Sequence, residues 1–137
     1  MEPYAKMIGD AGVATGLKVL IVDDNVDAAN MFAMLIQFEG HDVRTAFNGT
    51  DAIESVRTFI PDAVFLDISL PDINGYRVAE QLRQIPELGR SMLVAMTGFS
   101  NDGDLDRSRQ AGFDHHVVKP ADYEHVKQLL DQAACRK

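Results

Sequence analysis

Ala63-Val64-Phe65-Leu66-Asp67, with Leu70-Pro71-Asp72-Ile73-Asn74-Gly75 close behind, is the stretch that decides the fold. Four consecutive apolar residues closed by a carboxylate are too few for a helix, and the Pro-Asp and Asn-Gly pairs that follow mark a loop. Such a run reads as a strand buried on both faces, as in a parallel sheet. Beyond the loop, Val78, Ala79 and Leu82 fall at helical spacing, and that helix must stop near Pro86. Three other apolar runs end the same way. Val19-Leu20-Ile21-Val22 is closed by Asp23-Asp24, Met92 to Met96 by Thr97, and His116-Val117-Val118 by Lys119.

Working outward, the first strand spans Leu17 to Val22 and leads into a helix from about Val26 to Glu39, with Met31, Leu35 and Phe38 on one stripe and Gly40 as its stop. Asp42 to Ala46 is a short strand. Asn48-Gly49-Thr50 opens a second helix carrying Ala52, Ile53, Val56 and Phe59, which Pro61 ends. After the strand Met92 to Met96, Asn101 to Ala111 is a helix with few apolar residues, chiefly Leu105 and Ala111, so it is expected to be weakly anchored. His115 to Val118 is the last strand. Asp122 caps a final helix with Tyr123, Val126, Leu130 and Ala133 on one face. Five strand-helix units in series predict an α/β fold: a doubly wound, five-stranded parallel sheet with right-handed crossovers and helices on both faces, a flavodoxin-like sandwich.

In an open α/β sheet the ligand crevice lies outside the carboxyl ends of the strands, so Asp23, Asp24, Asp67, Thr97 and Lys119 are expected to converge there. Three carboxylates, a hydroxyl and an ammonium suit a divalent cation and a phosphoryl group. Two adjacent acids beside a third repel one another, and a hard cation relieves that repulsion; Mg²⁺ with its oxygen preference fits best. Each residue alone has a blander explanation, a solvated strand end for Asp67 or a cap for Asp23-Asp24, and the functional assignment depends on their company.

The 137 residues suffice for one domain with its own core. Residues 1–16 read as a flexible leader or linker without the features of a secretory signal, 17–134 as the domain and 135–137 as a tail. So little chain follows the last helix that no DNA-binding effector is expected there. No apolar run approaches the roughly 20 residues of a membrane span. Net charge of −8 and the lack of a Lys/Arg cluster oppose nucleic-acid binding. The one cysteine, Cys135, is read as inert and agrees with a reducing, cytoplasmic setting. His41 and His125 are read as surface residues.

Val-Asp-Asp-Asn at 22–25, Leu-Asp-Ile-Ser-Leu-Pro-Asp-Ile-Asn-Gly at 66–75, Ala-Met-Thr-Gly at 95–98 and Val-Val-Lys-Pro at 117–120 together resemble the receiver domain of two-component response regulators. Four pieces in order, each ending its own strand, make the resemblance specific, and it spans about Leu17 to Ala134. It implies a domain that takes a phosphoryl group from the phosphohistidine of a histidine kinase or histidine phosphotransfer domain and changes shape to relay a signal. Such a module catalyses its own phosphorylation and dephosphorylation and is not an enzyme with a separate substrate. By resemblance Asp67 is the phosphoacceptor, Asp24, Asp67 and the Ser69 backbone carbonyl hold Mg²⁺ with Asp23 joining directly or through water, Lys119 contacts the phosphoryl oxygens, and Thr97 is the switch hydroxyl. Lys119-Pro120 is then cis. The resemblance also implies that Ser69 and Phe99 flank the site and tune hydrolysis.

One position departs from the pattern. The family's usual aromatic three residues before the lysine is His116, smaller and titratable, though an ordinary exposed strand histidine is the simpler expectation for it. Two other classes fit less well. A receiver-like interaction domain that signals without phosphate has no need of the full Asp24, Asp67, Thr97 and Lys119 set. An aspartyl-phosphate phosphatase of the haloacid dehalogenase type would carry an aspartate where Ser69 stands. The face made by the fourth helix, fifth strand and fifth helix is expected to dock the output partner, the chain being a monomer or weak dimer. It suits either a stand-alone regulator or a receiver from a hybrid histidine kinase.

Overall fold

The computed structural model describes residues 16–98 and 102–136, for 102–104 the backbone alone. Its elements run β1 (Lys18–Val22), α1 (Val26–Phe38), β2 (Asp42–Ala46), α2 (Gly49–Phe59), β3 (Ala63–Asp67), α3 (Gly75–Arg83), a 3₁₀ turn (Pro86–Leu88), β4 (Met92–Thr97), α4 (Asp102–Ala111), β5 (His115–Val118) and α5 (Tyr123–Ala134). The strands form one sheet in the order β2-β1-β3-β4-β5, every pair parallel. This is the flavodoxin-like order, and every expected element is present within a residue or two of its expected bounds.

Because successive strand residues point to opposite faces, each strand divides its apolar side chains between two cores. Val19, Ile21, Phe65, Val94 and Met96 pack under α1 and α5 with Ala29, Ile36, Leu129 and Leu130. Leu20, Val22, Val64, Leu66, Leu93 and Ala95 pack under α2, α3 and α4 with Val56, Val78 and Leu82. The order in which strands are added reverses at β1, with β2 laid on one side of it and β3 on the other, so a crevice opens between the carboxyl ends of β1 and β3.

α1 turns a face to the sheet that the spacing of its large residues did not indicate. Ala29, Ala33 and Ile36 are its buried residues, while the stripe of Met31, Leu35 and Phe38 faces outward, with Phe38 90% exposed. The helix is apolar around most of its circumference, and the small alanines let it lie close to the sheet. In α4 Ser108 and Ala111 are buried and Leu105 is half-buried, so little apolar area anchors it among its described side chains. The Arg107 guanidinium lies 4.3 Å from the centre of the Tyr76 ring, tying α4 to α3. Among the described residues no helix is long and apolar enough to cross a membrane. Apart from Gly16, the leader assigned to residues 1–16 lies outside the described residues, and so does Phe99.

His41 corrects its reading as a surface residue. It is 6% exposed, and its Nδ1 accepts the Leu17 N–H at 3.2 Å. That bond needs an unprotonated Nδ1, and burial lowers the pKa below 6.5 against the opposing pull of Glu39, Asp131 and Asp62. Above 6.5 the neutral ring serves the fold at no proton cost. As pH falls from 6.5 towards the lowered folded value, the unfolded chain takes up a proton the folded chain refuses, and stability is lost. Urea midpoints measured between about pH 7.5 and pH 5.5 should therefore fall with acid more steeply in the wild type than in His41→Asn. Parallel slopes for the two proteins would refute this. His125 is exposed, as expected.

Candidate functional site

Three strand ends meet at the crevice. The Asp23 N–H continues the β1–β2 ladder by donating to the Ala46 carbonyl at 3.1 Å, and the Ile68 N–H continues β3–β4 by donating to the Met96 carbonyl at 3.0 Å. Both acids are thus placed by sheet hydrogen bonding and not by flexible loop. Asp23 and Asp67 are 4% and 5% exposed, and Asp24 is exposed. One carboxylate oxygen from each of Asp23, Asp24 and Asp67 lies within 4.8 Å of the other two.

Lys119, at the end of β5, reaches across to two of them. Its Nζ donates to Asp67 Oδ2 at 2.8 Å and to Asp23 Oδ2 at 2.9 Å. The other oxygens accept main-chain amides, Asp67 Oδ1 from Ser69 at 2.8 Å and Asp23 Oδ1 from Asn25 at 3.0 Å. Burial by itself would lower the Lys119 pKa, but the hydrogen bonds and charges of Asp67 and Asp23 outweigh it, and the net shift is upward. The ammonium therefore stays charged at physiological pH. Lys119-Pro120 is cis, and the Lys119 N–H donates to the Thr97 carbonyl at 2.7 Å, which joins the ends of β4 and β5.

Three acids and one ammonium leave a formal charge of −2 in the crevice, the charge a divalent cation neutralises. Oxygen-only donors, two of them buried and all three within one ion's reach, fit a hard cation such as Mg²⁺. The Ser69 main chain borders the same point through its hydrogen bond to Asp67. Gly75 allows the loop to return there: its N–H donates to the Ile68 carbonyl at 3.0 Å, and a Cβ would stand 2.6 Å from the Asp67 carbonyl oxygen.

His116 corrects the expectation of an exposed strand residue. It is half-buried and shares a hydrogen bond of 3.2 Å between its Nδ1 and the Oγ of Ser108, a buried residue of α4. Ser108 drew no notice in the sequence, because a serine inside a polar helix carries no signal of its partner. The outward stripe of α1 was also missed as a functional feature. Met31 and Leu35 line a cavity of about 490 Å³ together with Asp23 and Lys119, so an apolar helix face runs up to the acidic crevice.

The response regulator receiver domain family matches residues 19–131. The polar-differentiation response regulator DivK of Brucella anthropi is 34% identical over 119 residues, covering 84% of this chain and 97% of that protein. Among solved structures, the chemotaxis response regulator CheY4 of Vibrio cholerae superposes with a TM-score of 0.80 at 23% identity, covering 87% of this chain and 99% of that one. The receiver domain of a sensor histidine kinase from Pseudomonas aeruginosa PAO1, solved with a magnesium ion coordinated in its active-site cleft, superposes with a TM-score of 0.80 at 24% identity, covering 88% and 99%.

Proposed function

Because the chain belongs to the response regulator receiver domain family, we propose that it accepts a phosphoryl group on Asp67 from the phosphohistidine of a histidine kinase or histidine phosphotransfer domain, with Mg²⁺ as cofactor, and relays the signal through a change of shape. The observation that carries this is Lys119 Nζ bridging Asp67 Oδ2 and Asp23 Oδ2 beside a third carboxylate.

A carboxylate is itself a nucleophile, so Asp67 can attack without a neighbouring general base. Asp67 Oδ2 attacks phosphorus in line as the P–N bond to the donor imidazole, protonated on its other ring nitrogen, breaks; the P–O bond forms and the electron pair of the broken bond stays on the nitrogen of a neutral imidazole. Phosphoryl transfer through a loose transition state calls for positioning and charge, not covalent help. Lys119 supplies a positive charge to the phosphoryl oxygens, held in place beforehand by Asp23. Asp23, Asp24, Asp67 and the Ser69 carbonyl would hold Mg²⁺, which would supply charge neutralisation for the transferred phosphoryl group. Thr97, ending the strand next to Lys119, is the hydroxyl that would bind a phosphoryl oxygen once Asp67 is modified. His116 would carry that movement to α4 through Ser108, and α4 offers little buried area to resist it. Output would leave through α4, β5 and α5. Residues 17–134 form the module on this account, and it acts on no substrate beyond its phosphodonor.

A protein donor must bring its histidine to Asp67, so the surface around the crevice must be covered by that donor during transfer. The exposed apolar residues Met31 and Leu35 of α1, which line the cavity shared with Asp23 and Lys119, supply such a surface. Met31→Gln, with a side chain already 67% exposed, should leave stability within about 0.5 kcal/mol of the wild type. It should slow transfer from a phosphorylated histidine phosphotransfer domain several-fold and leave transfer from phosphoramidate unchanged. Equal slowing with both donors would contradict the docking role.

The function is tested by incubating the protein with Mg²⁺ and phosphoramidate and measuring intact mass. One added phosphoryl group, absent when Mg²⁺ is chelated, is the expected result. No adduct, or steady phosphate release from a range of organic esters, would overturn it in favour of a non-phosphorylated module or a phosphatase.

A further inference from the structure

The loop that carries Ser69 is fastened to the start of α2. Asp72 Oδ1 accepts the N–H groups of Gly49 and Ile73, each at 2.8 Å, and its Oδ2 accepts the Thr50 N–H at 3.0 Å and the Thr50 hydroxyl at 2.7 Å. Gly49 and Thr50 open α2, so one carboxylate takes up two of the amides that a helix start leaves without intrahelical partners. It also lies at the positive end of the helix macrodipole. The Thr50 hydroxyl and the Gly49 and Thr50 amides hold the Asp72 carboxyl well below the usual carboxylate range, so it is ionised at any physiological pH. Gly49 keeps the two segments close, since a Cβ there would stand 2.9 Å from Ile73 Cβ and from Val78 Cγ2. At its other end the loop returns to Ile68 through Gly75. Ser69, with its N–H on Asp67, lies between these two fixed points.

We propose that Asp72 is a positioning residue, which by tethering residues 68–74 to the start of α2 holds the Ser69 main chain against Asp67 for cation binding and phosphoryl acceptance. Asp72 makes its hydrogen bonds to Gly49, Thr50 and Ile73 and lies outside the cluster of Asp23, Asp24 and Asp67, so it acts through the loop. The inference rests on the assignment of Asp67 as phosphoacceptor. Its competitor is a cap that stabilises α2 and nothing more. The fold contains the control for that competitor. Asn48 caps the same helix, its Oδ1 accepting the Asp51 N–H at 2.8 Å, and among the described residues its side chain bonds to Asp51 and not to the loop.

Asp72→Ala, Asp72→Asn and Asn48→Ala are therefore compared with the wild type. The readouts are melting temperature, amide hydrogen exchange of residues 68–75 in metal-free buffer, Mg²⁺ dissociation constant, and phosphorylation rate with phosphoramidate at saturating Mg²⁺. Both alanine variants should melt lower. Asp72→Ala alone should speed exchange in the loop and weaken Mg²⁺ binding about tenfold, the usual effect of losing a group that orients metal ligands. Asp72→Asn, which keeps an accepting oxygen, should recover part of the loss. Asp72→Ala matching Asn48→Ala in loop exchange and Mg²⁺ affinity would overturn the inference. A wild type that never gains phosphate would overturn the assignment of Asp67 instead, and the metal-free exchange would still decide the tether.

Discussion

Asp67→Asn is expected to gain no phosphoryl group under conditions that phosphorylate the wild type to completion, while folding as well as the wild type or slightly better. The amide oxygen is no nucleophile at neutral pH, so the loss should be total and not graded. Stability runs the other way. Asp23 and Asp67 are both buried, with Asp24 beside them; the isosteric amide removes one of three mutually repelling charges, its single oxygen keeps the Ser69 N–H, and its NH₂ gives up the Lys119 bond while Asp23 still accepts from that ammonium. The same change should weaken Mg²⁺. In the wild type, Mg²⁺ at a hundred times its dissociation constant should add about 2.7 kcal/mol of stability, and the variant should gain clearly less at that concentration. Intact mass with denaturant melts in Mg²⁺ and in chelator reads all three effects. Residual phosphorylation in the variant, or equal Mg²⁺ stabilisation in both proteins, would contradict the assignment.

Lys119→Met should show the opposite combination, a loss of both chemistry and stability. Removing one charge aimed at the phosphoryl oxygens should slow phosphorylation by roughly 10²–10³-fold at saturating Mg²⁺, the scale seen when a single transition-state donor is lost. Without the ammonium, Asp23 Oδ2 and Asp67 Oδ2 face each other with no counter-charge from the protein, and each loses a hydrogen bond. In chelator this should cost about 1–3 kcal/mol, the penalty of leaving a buried polar group without its partner. Because the Lys119 side chain is 33% exposed, solvent screening favours the lower part of that range. Mg²⁺ should recover more stability in Lys119→Met than in the wild type, since the cation then meets acids that nothing else neutralises. A variant as stable as the wild type in chelator, or phosphorylated at the wild-type rate, would show that the bridge contributes neither charge nor structure.

The site was more legible than the helices that support it, and the reason lies in the sheet. A parallel strand buried on both faces must be written as an uninterrupted apolar run, so the first polar residue after each run marks the crevice rim. Asp23, Asp67, Thr97 and Lys119 could be picked out that way before any coordinate was known. α1 resisted the same treatment because two stripes at helical spacing compete in it. Met31, Leu35 and Phe38 carry the larger side chains, yet Ala29, Ala33 and Ile36 meet the sheet, and hydrophobicity alone does not rank close approach above size. His41 was misplaced because its partner, the Leu17 amide, lies 24 residues away. Asp72 is the same case at larger consequence: a Pro-Asp pair announces a loop, and nothing local says that its carboxylate closes onto a helix start 22 residues earlier.

The central claim is that one oxygen of Asp67 takes the phosphoryl group, and chemical mapping of the acyl phosphate tests it most directly. Protein treated with Mg²⁺ and phosphoramidate is reduced with borohydride, which converts an aspartyl phosphate to homoserine, and then digested and sequenced by mass spectrometry. Homoserine at position 67, and at no other aspartate, is the predicted result. Homoserine at Asp23, Asp24 or Asp72, or none at all in protein shown to carry the added mass, would contradict it.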